Sequence, residues 1–126
     1  MTVDWRAVFA GARRAVLAAG ATIVAAQVVA TLADSDITLV LYPVVLVGLG
    51  AGGWVAARRQ PLLPLTHGSL AAIAAYLVLV AVITAVRLAV GREVTDPVLI
   101  VSNGFMAASA GIVGGYLAMR RGRRSA

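Results

Sequence analysis

Long apolar runs alternate with short polar breaks along this chain. Four windows hold the roughly 20 mostly apolar residues that a membrane-crossing helix needs: 15–33, 37–57, 68–90 and 97–119. The breaks between them are Asp34-Ser35-Asp36, the stretch RRQPLLPLTH and the stretch GREVTD. Connections this short set each helix antiparallel to the next. Residues 4–14 continue the first run with a spacing that suits a helix lying at the membrane surface before it turns inward. Residues 120–126 read as a basic tail. The pattern predicts a single domain: an all-α membrane protein with four transmembrane helices in an up-down bundle.

Local signals agree with those boundaries. Asp34, Ser35 or Asp36 can cap the second helix, and Asp96 before Pro97 is a good cap and first-turn pair for the fourth. Pro61 and Pro64 are expected to keep the middle connection out of helix, and Pro43 to fall inside the second span. A cleaved secretory signal is a poor reading of the first run, because three more spans follow it in place of a soluble domain.

Composition strengthens this picture. The chain is 126 residues long, 61% hydrophobic, with a mean hydropathy of +0.95, well above the roughly 45–50% apolar usage of soluble domains. A soluble fold of this size could not hide so much apolar surface. There is no cysteine, so there is no disulfide framework and no thiolate chemistry.

The net charge of +6 would suit nucleic acid, but its distribution does not. All eleven basic residues are arginine and stand at the ends of the apolar runs, leaving no soluble module to carry a nucleic-acid site. With both termini and the middle connection on one side, that side holds nine arginines: Arg6, Arg13, Arg14, Arg58, Arg59, Arg120, Arg121, Arg123 and Arg124. The other side holds Arg87 and Arg92 with four of the chain's carboxylates, Asp34, Asp36, Glu93 and Asp96. The bias predicts a multi-pass protein of the inner (plasma) membrane with both termini cytoplasmic.

A shift of 62 residues lays GGWVAARR (52–59) on GGYLAMRR (114–121), and Asp34 on Asp96, with about a fifth of all overlapping positions identical. Two tandem two-helix repeats of the same orientation, related by an axis along the membrane normal, would produce this. So would convergence of two helix ends that meet the same interface.

Small residues recur at helical spacing. Gly48 and Gly52 form one GxxxG pair, Gly111 and Gly115 another, and Gly104, Ala108, Gly111 and Gly115 share one stripe of the fourth helix. Gly53 and Gly114 complete the two Gly-Gly pairs. In lipid, helices associate where missing side chains let backbones approach. These glycines are therefore candidate packing positions, within one bundle or between copies.

Trp54 and Tyr116 each precede an arginine pair, Arg58-Arg59 and Arg120-Arg121, by about one turn. Such rings sit at the headgroup boundary, with the arginines beyond them against anionic lipid headgroups of the cytoplasmic face.

Polar side chains within the spans are few: Thr22, Gln27, Thr84, Ser102, Asn103 and Ser109. Hydrogen bonding between helices accounts for them, while Gln27 and Asn103 could instead line a small polar cavity. No carboxylate lies inside a span, which argues against proton-coupled transport. His67 opens the third run on the cytoplasmic side. It is the one histidine of the chain, so it cannot assemble a metal site within the chain. A neutral ring hydrogen-bonded to backbone near Gly52 and Gly53 is its expected role, against proton relay or ligand binding.

The segment GGWVAARR followed by HGSLAAIAAY resembles the YrzE-type family of small four-span bacterial membrane proteins. The positions that carry the likeness are Gly52, Gly53, Ala56, Arg58, His67, Gly68, Tyr76, Gly114 and Gly115. They cover the second to fourth spans, and the PLLPL insert departs from the family pattern. The resemblance implies the fold and the compartment and brings no catalytic residue. Small multidrug transporters, which carry a glutamate in the first helix, and fluoride channels, with a Phe-rich Ser/Thr motif in the third, do not match.

The expectation is a structural or accessory membrane protein that associates through glycine-rich helix faces, with itself or with another membrane protein. The rival is a small channel or transporter subunit with a polar path near Gln27 and Asn103. No nucleophile–base or acid pair shares a place, so neither an enzyme nor a cofactor is expected.

Overall fold

A computed structural model describes residues 2–33, 38–91, 93–94 and 96–125, with side chains from 26 to 42 outside the description. Four helices follow in order: α1 (Trp5–Ala33), α2 (Thr38–Arg59), α3 (Pro64–Ala89) and α4 (Pro97–Arg124). Three of them, taken over Trp5–Ala25, Pro64–Ala89 and Pro97–Arg124, are long and apolar enough to cross a membrane. The chain is all-helical and has the build of a membrane protein.

The helix ends differ from the expected ones for definable reasons. α1 is continuous from Trp5, with no separate surface segment. Ala7, Val8, Gly11 and Ala12 are buried, so this stretch packs as part of the helix. Asp4 caps it: its Oδ1 accepts from the Arg6 N–H at 2.9 Å. Pro64 does not hold the connection out of helix but begins α3, since its fixed φ and missing N–H suit a first helical position. α4 runs on through the expected basic tail to Arg124, where arginines meet the negative end of the helix dipole.

The cap of α4 stands as read. Asp96 caps α4, accepting from the Val98 N–H at 2.8 Å, with Pro97 in the first turn. α3 closes on Gly91, whose φ of +71° is a left-handed conformation that suits glycine. Asp34, Ser35 and Asp36 lie outside the described residues.

The core is made of small residues. Among the described residues, eleven of the thirteen buried hydrophobic side chains are alanine, and Val8 and Leu49 are the larger two. Bulky side chains such as Val47, Leu77, Val82 and Phe105 point outward. That inversion suits a lipid solvent, where burying a leucine gains little and backbone proximity gains contact area.

Each helix lies beside its sequence neighbours, and in addition α1 packs on α3 and α2 on α4, whereas α1 and α4 do not touch among the described residues. The close approaches run in order along α1 and α3 (Asp4 by His67, Gly11 by Ala71) and along α2 and α4 (Gly50 by Ala110, Gly53 by Gly111). The hairpin α1–α2 therefore lies flat against the hairpin α3–α4, with α2 and α3 on the short diagonal. A two-fold axis exchanging the hairpins would make the α1–α4 pair equivalent to the α2–α3 pair. Only the latter touches, so the packing lacks that axis.

Candidate functional site

The polar chemistry collects at the end of the helices where α1 begins, α2 ends and α3 begins. His67 is in the first turns of α3 and is only 1% exposed. Its Nδ1 lies 2.8 Å from the Leu63 carbonyl, and its Nε2 lies 3.0 Å from the Asp4 backbone nitrogen. A carbonyl can only accept and an amide N–H only donates. The ring is therefore neutral, protonated at Nδ1 and accepting at Nε2.

Asp4 is fixed at its other end by Gln60, whose Nε2 donates to Oδ2 at 2.8 Å. Together these contacts join the start of α1, the end of α2 and the first turns of α3. The Gln60 amide first, then the backbone N–H groups of Arg6 and Ala7, hold the Asp4 carboxyl below the usual carboxylate range. A hollow of about 530 Å³ opens over Asp4, Gln60 and His67, edged by Thr2, Leu62 and Leu63.

His67 thus has a structural hydrogen-bonding role, but with partners other than those expected. Both ring nitrogens are taken up by Asp4 and Leu63 rather than by backbone at Gly52 or Gly53, and those glycines pack on α1, α4 and Gly68. Sequence reasoning passed over Asp4 and Gln60. The signal available was an aspartate directly before the first apolar-periodic residues, a helix-cap pattern.

The arginine clusters share this end. The Arg58 guanidinium lies 5.4 Å from the centre of the Trp54 ring and that of Arg121 lies 6.0 Å from it. Trp54 is half-buried between α2 and α4, whereas Tyr116 is exposed. The two rings, equivalent in the sequence pattern, therefore stand in different surroundings. Arg59 and Arg120 are exposed beside them.

Glycines occupy the tight crossings. A Cβ on Gly53 would stand 2.7 Å from the Gly111 carbonyl oxygen, and one on Gly115 would stand 2.6 Å from that of Pro64. One on Gly52 would meet Ala15, and one on Gly114 would meet the Gly50 carbonyl. Gly48 packs on Ala18 and Ala19, while Gly104 meets only the Tyr76 ring, at 3.4 Å. All these partners belong to the same chain, so these faces are covered within it.

His67 and the polar candidates Gln27 and Asn103 belong to different parts of the helices, as their places in the sequence imply. The Gln27 side chain lies outside the described residues. Asn103 is half-buried and engaged on α4, beside the level where Tyr76 donates to the Ile100 carbonyl at 2.7 Å. Tyr76 is nine residues beyond His67 on α3, about 14 Å along the helix. Thr22 and Ser109 do not bridge helices either: each donates to the carbonyl four residues back, Ala18 at 2.9 Å and Phe105 at 2.9 Å. The interhelical hydroxyl bond comes instead from Tyr76. Among the described residues no three histidine, cysteine or acidic side chains stand close enough to hold a metal ion.

Compared with protein-family models, with curated proteins and with solved structures, the chain matches none.

Proposed function

We propose that this chain is a structural or accessory protein of the bacterial inner membrane, a four-helix bundle threaded four times through the bilayer with both termini cytoplasmic. The observation that carries the reading is the joint placement of small buried residues and bulky exposed ones. Alanine and glycine line the crossings, and branched apolar side chains face outward. α2 supplies the fourth span: its 22 residues extend about 33 Å, enough for the roughly 30 Å hydrocarbon layer. The arginine bias supplies the orientation.

Because the glycine faces are taken up within the chain, association with a second protein or copy would use the outward apolar surface. The likeness to the YrzE-type family, and a duplication of the α1–α2 hairpin, belong to the same reading. The likeness rests on Gly52, Gly53, Ala56, Arg58, His67, Gly68, Tyr76, Gly114 and Gly115. A catalytic role has no support from the polar cluster, whose donors and acceptors are spent on one another.

The test is a set of reporter fusions in cells. A reporter after residue 126, or inserted between 61 and 63, should read as cytoplasmic, and one inserted at 93–94 as exterior. An exterior C-terminal reporter overturns the orientation. Matching signals from the 61–63 and 93–94 insertions overturn the four-span threading.

A further inference from the structure

A groove of about 1050 Å³ runs between α2 and α4 on the outer surface of the helices, as large as the largest ordinary ligand pockets, ~1,000 Å³. Its floor is backbone, because Gly50 and Gly114 cross so closely that a Cβ on Gly114 would strike the Gly50 carbonyl. Its walls are apolar: Leu46 and Val47 from α2, Val113 and Leu117 from α4. Val47 is 72% exposed and Val113 57%, so these walls have no protein cover in the chain.

The upper end of the groove is different. Trp54, Arg120, Arg121 and Arg124 close it, and the guanidiniums of Arg58 and Arg121 lie on the Trp54 ring. A guanidinium attracted to an aromatic ring by cation–π contact still carries N–H donors that can meet an anion. No carboxylate lines the groove among the described residues. Asp4 is engaged with Gln60 and Arg6, and Glu93 and Asp96 stand at the far end of α4. Among the described residues, no carboxylate stands at the mouth to offset its positive charge.

Depth decides the occupant. From Ala110 at the lower end to Arg120 at the mouth is ten residues, about 15 Å of helix. That is half of the ~30 Å hydrocarbon layer, so the groove is as deep as one leaflet. We propose that it binds one phospholipid with an anionic headgroup: acyl chain along Gly50, Gly114 and the branched walls, phosphate against Arg120, Arg121 and Arg124. A free phosphate would use only the mouth, and a zwitterionic lipid would leave the arginines without a net counter-charge. The proposal rests on the chain being embedded in lipid, and not on which way its termini face.

Native mass spectrometry of the delipidated protein in detergent tests it. Phosphatidylglycerol, phosphatidylcholine with the same chains, and glycerol phosphate are titrated in parallel. The expected result is a single-lipid adduct that favours phosphatidylglycerol by about tenfold, with glycerol phosphate failing to compete. Arg120→Gln with Arg121→Gln should abolish that preference, and Val113→Trp should block the adduct by filling the groove while leaving thermal unfolding unchanged. Arg13→Gln with Arg14→Gln removes the same charge from α1 and should leave the preference intact.

Equal binding of the two lipids overturns the proposal. So does an equal loss in both arginine pairs, which would mean diffuse surface charge. Competition by glycerol phosphate would reveal a headgroup-only site. A dimer sealed by cysteines at Val47 and Val113 would assign the groove to a second copy. A misread orientation shows only in the reporter fusions and leaves this titration untouched.

Discussion

His67 shows how one residue acquires a role from its neighbours. Its ring accepts from the Asp4 N–H and donates to Leu63, which ties the beginning of α1 to the beginning of α3. Gln60 completes the tie through the Asp4 carboxylate. Because the folded state holds that carboxyl below its ordinary range, its contribution to stability is fully present above the unfolded value, about 4. It is lost as pH falls through the lower, folded value. Thermal unfolding in detergent should therefore drop more steeply for the native chain than for Asp4→Asn once the pH passes below the ordinary carboxylate range. Asn still caps a helix, so the comparison isolates the charge of the carboxylate. Two parallel curves would remove the carboxylate from the account.

At the scale of the element, the crossings turn on which glycines face a neighbour. Gly53, Gly111 and Gly115 leave no room for a Cβ, whereas Gly20 and Gly122 have nothing within 4 Å. Gly111→Ala should lower stability by roughly 1–3 kcal/mol, as overpacking of a close contact does. Gly20→Ala should be neutral or raise it by up to about 1 kcal/mol through helix propensity. Unfolding by titration with a denaturing detergent measures both. Equal effects would mean that the crossings are looser than described. The repeat of Gly-Gly, aromatic and Arg-Arg marked these stretches in the sequence. It could not show that Gly104 meets a mere ring edge while Gly114 meets a backbone carbonyl, because spacing along one helix carries no information about its partner.

For the whole molecule, the separation of α1 from α4 is the distinctive feature. An up-down ring in sequence order would bring those two helices together. Two hairpins laid face to face keep them apart and make α1 and α3, and α2 and α4, parallel neighbours. The chain has no native cysteine, which makes disulfide mapping clean. Cysteines at Leu17 and Val113 should cross-link only between molecules, whereas cysteines at Gly50 and Ala110 should close within one. An intramolecular Leu17–Val113 bond would restore the closed ring and refute the hairpin arrangement.

The sequence by itself determined the helices and their environment. Apolar run length, the Asp96–Pro97 cap and the arginine-rich ends are local or compositional, and water or lipid acts on them without reference to distant residues. Only the tertiary structure decided that Asp4 and Gln60 complete the histidine cluster, and that Arg121 joins the Trp54 ring beside an open groove. Each depends on residues far apart in the chain brought within a few ångströms. In a core of alanine and glycine, many helix pairings offer similar one-dimensional patterns, and the fit of backbones in three dimensions chooses among them.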